Sequence, residues 1–113
     1  MSMSFRAAAA ACGVGAILVC GGLGGAALAG PSMAVKASPT KMNLEACKKR
    51  AQEVIKKASF RVSRVLAFSV FGEQGDYSVI VRCAPEQGVV FFASSGPRME
   101  RASQFVDEVG DNF

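Results

Sequence analysis

The chain has 113 residues, half of them hydrophobic, with 13 lysines and arginines against 9 acidic residues and no histidine. A length of this order holds one domain. Without histidine, the usual neutral-pH general base, the Ser-His and Cys-His nucleophile pairs and the commonest metal ligand are excluded.

The net charge of +4 is unevenly laid out, since Lys36 to Arg64 carries nine basic and two acidic residues while Val65 to Phe113 carries three and seven. Such polarity can steer an anionic partner without identifying one. Met1 to Arg6 has one positive charge and Ala7 to Ala29 has no charge of either sign, the order of an export signal. Gly21, Gly22, Gly24 and Gly25 follow the apolar stretch, and Ala27-Leu28-Ala29 places small side chains where a signal peptidase cuts. Cleavage is expected after Ala29, with Val35-Lys36-Ala37 as the fallback site, cut after Ala37. An uncleaved anchor is the alternative, because the uncharged run reaches the ~20 residues that a bilayer core requires; its glycine and alanine content makes it a weak spanning helix. Cys20 has the branched Val19 directly before it and Cys12 comes too early for an apolar stretch to precede it, which argues against a lipid-modified cysteine. Both thiols are expected to leave with the signal (residues 1–29), giving a periplasmic or secreted product.

Residues 30–41, punctuated by Pro31 and Pro39, read as a flexible linker, and residues 42–113 as one small α+β domain. At about seventy residues a single core is marginal, and a covalent staple becomes valuable. Asn43 is a good N-cap for a helix running to about Ala58, with Glu45 and Lys49, and Glu53 and Lys57, in the favourable i to i+4 order. Its apolar positions Leu44, Cys47, Ala51, Val54, Ile55 and Ala58 occupy an arc of about 100°. Val62 to Phe71 reads as a strand, Gly72 to Asp76 as its turn, and Tyr77 to Ala84 as a second strand with Tyr77, Val79, Val81 and Cys83 on one side. Pro85 to Gly88 turns the chain again, and Val89 to Ser94 makes a third strand, apolar on both sides. Ser95-Gly96-Pro97 then introduces a last helix whose Met99, Ala102, Phe105, Val106 and Val109 form an arc of about 120°. The predicted order is α-β-β-β-α, with a three-stranded antiparallel meander. The last helix is a candidate to cover the second face of the third strand.

Cys47 and Cys83, the two cysteines beyond the signal, both face this core. An even count of thiols in an oxidising compartment predicts a disulfide. It would close a loop of roughly 35 residues, worth about 4 kcal/mol in the chain-entropy model. Redox activity would favour closely spaced, partly exposed cysteines instead.

No other constellation points to chemistry. Glu73 and Asp76 flank a turn and Asp107 and Glu108 lie on the solvent side of the last helix, where carboxylates are solvated rather than tuned as a catalytic pair. Gly72 and Gly75 lack the lysine-serine ending and following helix of a phosphate loop. Two core-facing cysteines without histidine do not furnish a structural zinc set, and no cofactor is implied. The strongest positive feature is the basic run Lys48, Lys49, Arg50, Lys56, Lys57, Arg61 and Arg64, a possible anion-binding surface, although its helical members scatter around the whole polar side. Phe60, Phe68, Phe71, Phe91 and Phe92 are too many for one side of a three-stranded sheet, so either a second face is covered or apolar surface remains for a partner. The Gly-x-x-Gly-x-Tyr-x-Val signal of Gly72 to Val79, following a helix, is similar in outline to PepSY-type small secreted modules; the final helix and the helix-to-sheet cysteine pair depart from them.

These features predict a non-enzymatic exported domain that binds an envelope or extracellular macromolecule, with no nucleic-acid partner and no membrane span once the signal is removed. The alternative is an envelope-surface protein held to anionic lipid or glycan by the basic first helix. A third reading is an enzyme using only carboxylates or tyrosine, which a deep pocket joining Tyr77 to an acid would support.

Overall fold

Two prolines that read as linker punctuation instead bracket a strand. The computed structural model describes residues 30–113, so the expected signal, residues 1–29, lies outside the described residues. Strand β1 (Ser32–Pro39) is followed by helix α1 (Leu44–Lys57), β2 (Arg61–Val65), β3 (Ser69–Gln74), β4 (Tyr77–Ala84), a 3-10 turn at Pro85–Gln87, β5 (Val89–Gly96) and helix α2 (Met99–Asp111). The strands form one five-stranded sheet in the order β1-β5-β4-β3-β2, antiparallel at every pairing. The architecture is therefore β-α-β-β-β-β-α, which corrects the three-stranded α-β-β-β-α expectation in two places.

The first correction is β1 itself, within the stretch read as linker. Its sheet-inward residues Ser32, Ala34, Lys36 and Ser38 alternate with the exposed Met33, Val35, Ala37 and Pro39. Small and charged residues on the inward side leave no apolar face to recognise in sequence, and an edge position tolerates the terminal proline. The second correction splits the predicted Val62–Phe71 strand at Leu66-Ala67-Phe68. Val62 pairs with Gly72 and Arg64 with Phe71, with a register shift between them. The extra residue bends the strand in the manner of a bulge. Strand β3 then continues through Gly72 to Gln74, and the true β3–β4 loop is only Gly75-Asp76, between the paired Gln74 and Tyr77. Gly75 takes φ +56° there, the left-handed conformation that such short hairpins demand.

Helix α1 begins as expected. The Asn43 side chain accepts a bond from the Ala46 amide at 2.8 Å. It ends in a double-bonded C-terminal motif, with the Ser59 amide donating to Lys56 O and the Phe60 amide to Ile55 O at 2.9 and 3.1 Å. Ser59 sits at φ +69° where glycine is usual. Ile55 and Phe60 are both buried beside it, supplying the hydrophobic contact that accompanies this motif.

Both helices lie against the same side of the sheet. Helix α1 packs on β2, β3 and β4, and α2 on β1, β5 and β4. Cys47, Ala51, Val54 and Ile55 of α1 and Phe105, Val106 and Val109 of α2 join Val70, Val79, Val81, Val90 and Phe92 in one core cluster, and Phe60 and Tyr77 both meet Phe105 edge-on. Helix α2 thus does not form a second cover for β5. Cys47 of α1 and Cys83 of β4 are disulfide-bonded, with Cα atoms 6.2 Å apart and 1% exposure each.

Candidate interaction surface

With both helices on one side, the outer face of the sheet is left to its own side chains. The strand registers align Val35, Ala93, Ile80, Phe71 and Arg64 in a row across all five strands. A parallel row runs through Met33, Ser95, Ser78, Glu73 and Arg61, and another through Ala37, Phe91, Arg82 and Ser69. Val35 is 66% exposed and Met33 61%. Met33, Phe71, Ile80 and Ala93 line an open hollow of about 200 Å³ together with Ser78 and Ser95. These side chains leave apolar surface on the outer face of the sheet.

The five phenylalanines divide between the two faces. Phe60 and Phe92 are buried in the core, Phe71 is half-buried on the outer face, and Phe68 and Phe91 are exposed. Arginines accompany the outer ones. The Arg64 guanidinium stands over the Phe71 ring at 5.5 Å and that of Arg82 over Phe68 at 5.8 Å, within cation–π range. Arg82 also donates to the Ser69 hydroxyl at 3.4 Å. Nearby, Arg61 is neutralised by Glu73 at 3.0 Å.

The seven basic residues singled out in the sequence do not come together. Lys48, Lys49, Lys56 and Lys57 remain on α1, on the helical side of the molecule. Arg50 has a structural occupation, donating to the carbonyls of Phe113 at 2.9 Å and Asn112 at 3.2 Å, which holds the chain end just past α2. Arg61 and Arg64 belong to the outer sheet face. The sequence does not single out Arg82, which stands alone in its strand, or Leu66, which lies within an apolar run that reads as one strand. The alternation of Arg82 against Val81 and Cys83 was the signal available.

Other groups are engaged elsewhere. Lys36 bonds Asp111 and lies 3.6 Å from Asp107, joining β1 to the last turns of α2. The hydrogen bond to Asp111, opposed by partial desolvation and helped by the attraction of both carboxylates, raises the Lys36 pKa above its ordinary value. Tyr77 shares a surface hollow with Arg98, Glu100, Arg101 and Gln104. Those four α2-side residues are exposed, so the hollow is open rather than deep, and the Tyr77 ring is committed to Phe105. Among the described residues no three histidine, cysteine or acidic side chains are grouped to hold a metal ion, and no helix is long and apolar enough to cross a membrane. No family model matches the chain, and no curated protein is significantly similar to it.

Proposed function

We propose that the protein is an exported, non-enzymatic contact module that binds an envelope or extracellular macromolecule through the outer face of its sheet. One observation carries this reading: two amphipathic helices cover one side of the sheet, while the apolar row Val35, Ala93, Ile80 and Phe71 on the other side is covered by none of the described elements. Leaving such a row in water is unfavourable, at about 25 cal/mol per Å² of apolar surface, so a fold retains it where a partner covers it. Export is supported by the uncharged leader and by the buried Cys47–Cys83 pair, since disulfides persist in oxidising compartments.

A photo-reactive side chain placed at Val35 or Ile80 in the host cell is expected to yield covalent adducts with a partner, whether protein or lipid. The same group at Lys49 or Gln52 of α1 should give none above background. Equal labelling from the two sides of the molecule would refute the reading.

A further inference from the structure

The turn between β2 and β3 is built of residues that turns normally avoid. Glycine, proline, asparagine, aspartate and serine usually make such connections, yet here Val65, Leu66, Ala67 and Phe68 are consecutive, apolar and all exposed. The tip is fastened rather than loose. The Leu66 amide donates to Ser69 O, and the amide of the disulfide-bonded Cys83 donates to Phe68 O, both at 2.7 Å. The residue cross-linked to α1 is therefore the same one whose amide holds the turn, and the apolar side chains are presented on a rigid base.

Beside the tip stand the two arginines laid on phenylalanine rings. Neither Arg64 nor Arg82 has a carboxylate within ion-pair distance among the described residues. Glu86 lines the same recess as Phe68 and Arg82 without pairing, and Phe91, 42% exposed, is registered opposite Arg82. An apolar knob collared by guanidinium groups complements a surface with anionic groups outside and hydrocarbon within. Guanidinium takes phosphate oxygens two at a time, and leucine and phenylalanine partition into the region beneath the headgroups. A second copy of the chain fits less well, because a two-fold contact sets a patch against itself and would bring these unpaired arginines together.

We propose that this tip seats the protein on an anionic phospholipid bilayer, with Leu66 and Phe68 entering the interface and Arg64 and Arg82 binding lipid phosphates. The inference rests on the reading that the outer face is the contact surface, and assigns lipid contact to this end of it rather than to the lysines of α1.

The unit Pro31–Phe113 has its own core and can be tested without the apolar leader. Flotation with mixed phosphatidylcholine–phosphatidylglycerol vesicles at low salt is expected to carry it, and pure phosphatidylcholine vesicles are not. At about 1 kcal/mol per basic residue at an anionic surface, Arg64→Gln with Arg82→Gln should weaken partitioning roughly thirtyfold. Leu66→Ser with Phe68→Ser should weaken it at least tenfold. Replacing Lys48, Lys49, Lys56 and Lys57 by glutamine should change it less than threefold. The chain has no tryptophan, so Phe68→Trp is a single reporter whose emission should shift to the blue on anionic vesicles and stay put on neutral ones.

Absence of flotation at low salt would overturn the inference. So would an unshifted Phe68→Trp emission on vesicles that do bind, loss of binding only with the helix lysines, or a concentration-dependent dimer abolished by the tip substitutions. If vesicles fail while photo-reactive groups on the sheet still capture a protein, only the lipid assignment falls; if both fail, the contact reading falls too.

Discussion

Lys36 shows how one side chain can serve a fold in a place where its charge looks misplaced. It points inward from an edge strand, a position where an inward-pointing charged residue discourages further strand pairing, and its ammonium reaches Asp107 and Asp111 at the end of α2. The C-terminal end of a helix favours a cation, so the aliphatic stem crosses the edge of the core beside Gly110 while the charge settles where the helix attracts it. Because folding raises the Lys36 pKa, the protonated lysine stabilises the folded state fully below its unfolded value, near pH 10.4. That contribution is lost as the pH climbs through the higher folded value. Wild-type protein is therefore expected to exceed Lys36→Met in urea midpoint near neutral pH and to lose that advantage in strong alkali. An advantage that stayed undiminished as the pH rose into strong alkali would show that the stem and not the charge supports β1. With about a third of the side chain exposed, added salt should shrink the neutral-pH difference as well.

At the scale of elements, β1 separates the two cleavage sites expected for the proposed export signal. Cleavage after Ala29 leaves the whole strand, whereas cleavage after Ala37 removes Ser32 to Ala37 and leaves only Ser38 and Pro39 of it. Those residues pair with Phe91 through Gly96 of β5 and pack against α2, so their loss would uncover the flank of Phe92 and the inner side of α2. Exposing ~100 Å² of apolar surface there costs about 2.5 kcal/mol, before the lost strand hydrogen bonds are counted. The mature chain is expected to begin at Gly30 by intact-mass measurement, and a chain begun at Ser38 to unfold at least 2 M earlier in urea, at ~1 kcal/mol per molar. A mature product beginning at Ser38 with undiminished stability would contradict the role given to this strand. The same element shows what sequence can reveal. Helix α1, β4 and α2 are legible because each repeats apolar residues at its own period, and Asn43 marks the first start. Strand β1 is not legible, since its inward side is serine, alanine and lysine, and the turn at Leu66-Ala67-Phe68 is hidden because it lacks every residue that usually announces one.

On the scale of the whole molecule, the arrangement follows from the helices sharing one side of the sheet, which concentrates the core and leaves the opposite face bare. That sharing was not legible either: β5 is apolar on both sides in Val89 to Phe92, a pattern that fits a strand covered twice as well as one whose outer residues await a partner. The cysteine pair was legible, because Cys47 and Cys83 both fall on apolar stripes of elements that must pack together. Its energetic weight can be placed against the total. A unit of this length is stable by roughly 4–12 kcal/mol, and cross-linking residues 36 apart contributes about 4 kcal/mol by restricting the unfolded chain. The disulfide therefore accounts for a third or more of the margin, while the five-stranded sheet and its single core supply the rest. Reduction, or Cys47→Ala with Cys83→Ala, should lower the urea midpoint by about 3–4 M at ~1 kcal/mol per molar and leave a domain that is folded but easily opened in an unstressed buffer. The same treatment should loosen the amide of Cys83 from Phe68 O, so hydrogen exchange at Cys83 is expected to rise more than at Val81 in the same strand. A midpoint that moved by less than ~1 M, or exchange that rose equally at both amides, would mean that the sheet alone holds the turn and that the staple contributes little to either stability or the outer surface.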